Sequence, residues 1–453
     1  MIKIIISMAI ALLMACSPKL TPPEITPPND YIYTNEISQD SLSSTISWWQ
    51  NFGDKRLDSL MLKALAGNRD LKATLAKIES AREQLTIARA ENLPSLSLEA
   101  YGLNEHFPAD GTTQEYYIAP MISWEISLFG KSKSLKAGAK ADLLNTEWSY
   151  RGVMLSLTAE VATTYYTLRQ AEYNGYIARR SYSLRAQELA LIDSLVRYGM
   201  RDGVALEQAR SLAYQAKADI DKYNRLATTS HLALCSLIGE NPTLYEEKTE
   251  YRDILCGNLP PEVPTGVPSD LLSRRPDILE AYYAMEKAGA DVGLARAARL
   301  PSISLTGGGG LFATSLKGIT GSEPWGWSAA ATIIQPIFSF GALKSKEMAA
   351  RAEYLSRVYL YQQSYIDALK EVESELISIE SLSRELISAS AVVAANEKVE
   401  QMVRALYRGG MNSYLNVVDA ERGLYSAQQS YIDLATMQYM NYINLYKALG
   451  GGW

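Results

Sequence analysis

Side chains able to do covalent or acid–base chemistry are scarce in this 453-residue sequence. There are two histidines, His106 and His231, and three cysteines, Cys16, Cys235 and Cys256. Acid–base and nucleophilic catalysis need such a residue beside a positioned partner, and no CxxC, HExxH, GxSxG or GxxxxGKS/T pattern sets one up. Nothing argues for a catalytic residue, a metal centre or a cofactor. Cys235 and Cys256 could pair as a disulfide, or Cys235 could be a small core residue, since it falls in a helical pattern.

The sulfur with a clear task is Cys16. MIK is a short basic start, IIISMAIALLM is an apolar run too short to span a bilayer stably, and small residues precede the cysteine. This is a secretory signal peptide over 1–15. Leu13-Met14-Ala15-Cys16 resembles a bacterial lipobox, so lipidation of Cys16 is expected, with the Pro/Thr-rich SPKLTPPEITPPND as a tether leaving a membrane surface. No later segment offers 18 consecutive apolar residues, so a membrane crossing would have to be a barrel. With 47% hydrophobic and 21% charged residues the chain is well folded, and a net charge of −6 without a Lys/Arg run makes nucleic acid a poor partner.

The elements that organise these residues come in duplicate. NLPSLSLEAYG at 92–102 is echoed by RLPSISLTGGG at 299–309, with Pro301 following Pro94 by 207 residues. The same offset carries Ala81–Leu93 onto Ala288–Leu300, and Asn68-Arg69-Asp70-Leu71 onto Arg275-Pro276-Asp277-Ile278. Phe129-Gly130 then matches Phe340-Gly341, and Arg197-Tyr198-Gly199-Met200 matches Arg408-Gly409-Gly410-Met411, both at 211. Landmarks in one order indicate duplication, with a loop four residues longer between the strands of the second half. Each half reads as helix, strand, strand, long helix, turn, helix. No proline interrupts the chain between Pro120 and Pro242 or after Pro336. Continuous helices over Lys131–Tyr198 and Ala342–Arg408 would each run roughly 100 Å at about 1.5 Å per residue.

Helices this long need a partner along their length, and a seven-residue spacing supplies it. Val358, Tyr365, Val372, Ile379, Leu386 and Val393 recur at that interval, with Leu369 and Leu376 four residues on from two of them. Leu206, Ala213, Ile220, Ala227 and Leu234 do the same in the first half, matched by Val417, Leu424, Tyr431, Gln438 and Leu445 in the second. The strands alternate. Leu96, Leu98 and Ala100 oppose Ser95, Ser97, Glu99 and Tyr101; Trp124, Ile126 and Leu128 oppose Ser123, Glu125 and Ser127; Ile303 and Leu305 oppose Ser302, Ser304 and Thr306. That pattern fits a membrane barrel with a wet lumen, and equally an antiparallel sheet on a soluble core. Trp124, Trp325 and Trp327, near strand ends, would suit an interfacial girdle or a core. Four strands cannot close a barrel around a channel, so the barrel reading requires oligomerisation, and three copies would give twelve strands.

The stretch LLSRRPDILEAYYAMEKAGADVGLARAARLPSISLTGGGG at 271–310 carries Arg275-Pro276-Asp277-Ile278, Gly293, Ala295 and Pro301. WWQNFGDKRLDSLMLKALAGNRDL at 48–71 carries Trp48, Trp49, Asp54, Leu57, Asn68 and Leu71. Together they resemble the TolC-type outer-membrane factor family, in its lipoprotein branch similar to OprM and the NodT-like efflux proteins, over essentially all of the mature chain. One departure is Tyr282, where many relatives carry Glu; it is expected to be surface variation. The resemblance implies a mostly α fold with a transmembrane β-barrel: a homotrimer of long antiparallel coiled-coil helices forming a periplasmic tube, with a twelve-stranded barrel built from four strands per protomer. It implies a lipid-anchored tether and equatorial segment over 16–57, a first repeat over 58–240, a Pro-rich equatorial linker over 241–269 and a second repeat over 270–453. The function implied is a passive outer-membrane exit duct of a tripartite efflux system, fed by an inner-membrane pump of the proton-driven RND type through a periplasmic adaptor. The alternatives are the exit duct of a type I protein secretion system, or a lipid-anchored periplasmic coiled-coil scaffold.

The resemblance also places the working end. The turns RYGMRDGVALEQAR (197–210) and RGGMNSYLNVVDAER (408–422) would form the closed periplasmic aperture and dock the adaptor's hairpin. Gly199, Gly203, Gly409 and Gly410 would supply the backbone freedom of the turns. The position best matched to the family's ring of carboxylates is Asn412, with Asp419 further up the helix, which weakens an acidic gate there. Asp202 could supply the charge instead, or cap the next helix. Met200 and Met411 hold matched positions, suited either to soft metals or to adaptable apolar contact with a partner.

Overall fold

The computed structural model describes residues 23–32, 47–108, 111–246, 268–321 and 325–451. The signal segment 1–15, Cys16, Cys256 and residues 247–267 of the Pro-rich linker lie outside the described residues. After a 3-10 turn at Trp48–Phe52 the first half runs α1 (Lys55–Gly67), α2 (Arg69–Ala90), β1 (Ser95–Phe107), β2 (Gly111–Ile126), α3 (Lys131–Arg197) and α4 (Gly203–Leu237). In the second half a helical turn at Leu271–Arg274 precedes α5 (Pro276–Ala297), β3 (Ser302–Ala313), β4 (Trp325–Ile334), α6 (Ala342–Arg408) and α7 (Tyr414–Ala448). Both α3 and α6 have 67 residues, and both α4 and α7 have 35, so the duplication kept these long helices to the residue. The hairpins diverged instead. β1 and β2, of 13 and 16 residues, meet across 108–110, whereas β3 and β4, of 12 and 10, are separated by 314–324 with a 3-10 turn at Leu316–Thr320. The longer second loop expected from the offsets is therefore accompanied by shorter strands.

The chain forms two compact units, each drawing on both halves. One holds Leu75–Ser149 and Leu279–Ser364, and with them the antiparallel sheet in the order β1-β2-β3-β4. Its register decides the faces, because directly opposed residues point the same way and successive residues point oppositely. Leu96, Leu98 and Ala100 oppose Ile122, Pro120 and Ile118. Ile118, Ile122, Trp124 and Ile126 oppose Leu311, Gly307, Leu305 and Ile303. Ile303, Leu305, Gly309 and Leu311 oppose Ile333, Ala331, Trp327 and Trp325. One face is thus apolar across all four strands, and it is exposed: Leu96, Leu98, Trp325, Trp327 and Ile333 each keep two thirds or more of their surface. The other face carries Ser95, Ser97, Glu99, Ser123, Glu125, Ser304, Thr306 and Thr332. It also holds Tyr101 and Tyr117, stacked at 5.2 Å, with Phe312 5.5 Å beyond. In the helices of this unit Tyr282 is half-buried, edge-on to Tyr361 of α6 at 5.6 Å. It is a packing residue and not the surface variation expected, because α5 turns that position toward α6.

The second unit holds Pro27–Thr74, Tyr150–Ile278 and Tyr365–Trp453. Asp54 organises its entry. Asp54 Oδ1 accepts the N–H groups of Arg56 and Leu57 at 2.9 and 3.3 Å, capping α1, and Oδ2 accepts the hydroxyl of Tyr165 at 2.6 Å, tying α1 to α3. Trp48, Phe52, Tyr166, Tyr439 and Tyr446 pack ring on ring around that junction, with Tyr166 stacked on Tyr439 at 4.5 Å. Of the heptad residues, Ala213, Ala227, Leu234, Val417, Gln438 and Leu445 are buried. Along α6 burial is deep at Tyr365 and Val372 and only partial at Ile379, Leu386 and Val393.

The duplicated hallmark residues share a task. Asn68 donates to the Leu237 carbonyl at 2.9 Å and accepts the Leu71 N–H at 2.9 Å. At the matched position Arg275 donates Nη1–H to the Ala448 carbonyl at 2.8 Å and pairs with Asp277 and Glu371 at 2.6 and 2.8 Å. Each satisfies a carbonyl at the end of α4 or α7 that the helix itself leaves without a donor.

Candidate functional site

The two helix-to-helix turns close by one hydrogen-bond pattern. At the end of α3, Gly199 N–H donates to Val196 O at 3.0 Å and Met200 N–H to Leu195 O at 2.9 Å; at the end of α6, Gly410 N–H donates to Tyr407 O at 3.0 Å and Met411 N–H to Leu406 O at 2.9 Å. This is the Schellman arrangement, which puts one residue in the left-handed region, here Gly199 at φ +70° and Gly410 at +73°. Gly203 and Gly409 take no positive φ. The expectation that all four glycines supply turn freedom is corrected on that point: Gly203 opens α4 and Gly409 continues the α6 spiral, conformations any residue can adopt.

Asp202 accepts the Ala205 N–H at 2.9 Å and so caps α4. Its counterpart Ser413 heads α7 without a side-chain cap bond. Asn412 is absorbed locally, accepting from the Ser413 N–H at 2.9 Å and from the Asn416 amide. Asp419 is exposed on the second turn of α7, and Met200 and Met411 are 63% and 74% exposed just beyond their glycines. No group of three or more His, Cys, Asp or Glu able to hold a metal occurs among the described residues. Cys235 is buried and free, with Sγ 3.6 Å from both His231 Nε2 and Thr243 Oγ1.

Close behind the turns lies a charge cluster that the heptad reading missed. Arg404 of α6 donates Nη1–H to Glu188 Oε1 of α3 at 2.6 Å, Nε–H to Glu400 Oε1 at 2.5 Å and Nη2–H to Glu421 Oε1 of α7. Arg185 of α3 stands 3.8 Å from Glu421 Oε2, gives its Nη1–H to the Leu212 carbonyl of α4 at 3.2 Å, and lies over the Tyr425 ring at 5.6 Å. These charged side chains are all less than one fifth exposed. Burial first, and then the neighbouring charge of Glu188, push the Glu421 carboxyl up to about 7. On the tip side the cluster rests on an apolar knot of Ile192, Ala209, Leu212, Tyr414, Val417 and Val418. A signal for it exists in the sequence: carrying the Val393 series on by seven reaches Glu400, and four residues past Val417 is Glu421, both seam positions where apolar side chains are expected.

A family model of outer membrane efflux proteins matches residues 60–240 and 267–451, the two halves of the duplication. The chain belongs to the outer membrane efflux protein family. It is 31% identical over 459 residues to the probable outer membrane lipoprotein SilC of Salmonella typhimurium, covering 99% of this chain and 98% of that one. It is 31% identical over 424 residues to the cation efflux system protein CusC of Escherichia coli (strain K12), covering 92% of each. The open state of the Neisseria gonorrhoeae MtrE outer membrane channel matches with a TM-score of 0.86 at 28% identity, covering 96% of this chain and 98% of that one. As an outer membrane efflux protein the chain is a TolC-like channel of the bacterial outer membrane and not an enzyme.

Proposed function

We propose that this outer membrane efflux protein works as a trimeric passive exit duct of a tripartite efflux system, receiving cargo from an inner-membrane pump of the RND type through a periplasmic adaptor. The observation that carries the reading is the sheet with one continuous apolar face. From Tyr116 to Ile126 that face runs along eleven residues of β2, ten steps that make about 34 Å of strand at about 3.4 Å per residue. At a tilt of about 40° this spans about 26 Å of height, close to the apolar band of a membrane barrel. Beyond it the same face turns polar at Asn104–Gln114 and His106–Thr112. Trp124 stands toward the helix end of the band, and Trp325 and Trp327 toward the loop end, where amphipathic rings favour the interface. Four strands per protomer make twelve in a trimer, an even number within the range of closed barrels. Lipidation of Cys16 would hold the N-terminus at the same membrane, as the name of the SilC relative supports. The turns at 198–202 and 409–413 would form the aperture and dock the adaptor, with Gly199, Met200, Asp202, Gly203, Gly409, Gly410, Met411, Asn412 and Asp419 at or near its rim.

The test is the size of the unheated protein in mild detergent, by light scattering corrected for bound detergent. A trimer is expected. A monomer in every mild detergent would overturn the shared barrel and leave a lipid-anchored scaffold. A paired substitution refines the outcome: Leu98→Arg, near the middle of the apolar band, should destabilise the trimer in lipid by about 2–4 kcal/mol, whereas Ser97→Arg on the opposite face should be tolerated.

A further inference from the structure

The cluster of Arg185, Glu188, Glu400, Arg404 and Glu421 plays no part in the turn hydrogen bonds, which are backbone contacts and local caps. It joins three helices through one guanidinium, and its charges do not balance. Three carboxylates face two guanidiniums, Arg185 spends one of its nitrogens on a carbonyl, and both Arg185 Nε and Glu188 Oε2 are buried without a hydrogen-bond partner. One proton would neutralise the cluster and supply the missing donor. We propose that this cluster is a protonation-set latch: with one proton bound it clamps α3, α6 and α7 together behind the tips, and with every carboxylate ionised it lets them part. That this would bear on passage through the duct rests on reading the tips as the aperture.

The group that takes the proton is Glu421, whose carboxyl is raised to about 7 by burial and by Glu188. The groups facing it are Arg185 and Glu188 from α3, Glu400 and Arg404 from α6, and Tyr414 and Tyr425 on α7 itself. Tyr425 is committed to Asp219 of α4 at 2.9 Å, and burial pushes both tyrosines up, so they stay neutral across the relevant range. A cavity of about 410 Å³, lined by Arg180, Glu397, Glu400, Arg404 and Glu421 among others, gives water a route to the carboxyl. The sign follows from linkage. Clamped helices hold the proton more tightly than parted ones, in which a glutamate returns to about 4.3. The clamp is therefore fully favoured below about 4.3 and weakens as pH rises through about 7. Between pH 6 and pH 8 the clamped-to-parted ratio should fall about tenfold.

The experiment is hydrogen exchange on the full-length protein in lipid discs at pH 6 and pH 8, corrected for intrinsic exchange, reading peptides over 185–207 and 400–421. Wild type should lose about tenfold in protection at pH 8. Glu421→Gln should hold the high protection at both values, and Glu188→Gln, which removes the repelling charge, should move the midpoint to lower pH. Protection independent of pH in wild type, or a pH response unchanged in both variants, would overturn the latch. Conductance of the same proteins in planar bilayers separates the two ideas. A switch in exchange without a switch in conductance would keep the latch and reject the tips as the aperture.

Discussion

At 198–202 the chain reverses from α3 into α4 with Gly199 at φ +70°, and at 409–413 from α6 into α7 with Gly410 at +73°. The hydrogen bonds of the two turns agree to within 0.1 Å. The charges behind them do not agree. At the 211 offset Arg404 corresponds to Asp193, Glu421 to Arg210 and Glu400 to Leu189. Asp193, half-buried, pairs with the exposed Arg197, and Arg210 with Glu207, each within its own helix. Arg404 and Glu421 instead bridge helices in a buried network. Duplication copied the turn because its bonds close within six residues. The ion network could not be copied, because it needs a partner on a different helix at the same depth.

The sharpest way to break this comparison is to remove the guanidinium at one turn and its counterpart at the other. Arg404→Ala leaves three buried carboxylates with one counter-charge and should cost about 3 kcal/mol or more of local opening free energy behind the second turn. Asp193→Ala, removing one side of a partly exposed pair within a single helix, should cost about 0.5 kcal/mol or less. Hydrogen exchange of the flanking peptides reads both, and equal losses would mean that the network is no more than a surface pair.

Next in size are the glycines. Gly199→Ala and Gly410→Ala each place a Cβ in the left-handed region and should cost about 1–2 kcal/mol, equally at the two turns. Gly203→Ala and Gly409→Ala should be neutral, or stabilising by up to about 1 kcal/mol, since these positions are helical. Thermal or urea midpoints of the four variants check the division, and a costly Gly203→Ala would reject it.

The smallest effect separates the caps. Asp202→Ala should lose about 1 kcal/mol of α4 stability with its bond to Ala205 N–H, while Ser413→Ala, which gives up no such bond, should lose a few tenths at most. Asp202→Asn should restore most of the loss, because the amide oxygen caps as well as a carboxylate; failure to do so would point to the charge of Asp202 as its purpose.

Local periodicity settled much of this protein in advance. Alternation in PSLSLEAY and SWEISLF, seven-residue spacing along α6 and α7, glycine just past long helical runs and a repeat at 207–211 residues are written in neighbouring residues, so strands, seams, turns and duplication could be read without coordinates. Pairing settled the rest. Only the sheet register aligns Trp124 with Leu305 and Leu311 with Trp325 on one apolar face. Only helix packing brings Glu188 within 2.6 Å of Arg404, 216 residues away, and turns Tyr282 toward Tyr361. A heptad position says that a side chain faces a neighbour; which neighbour, and whether a charge there is matched, depends on helices that sequence distance does not relate.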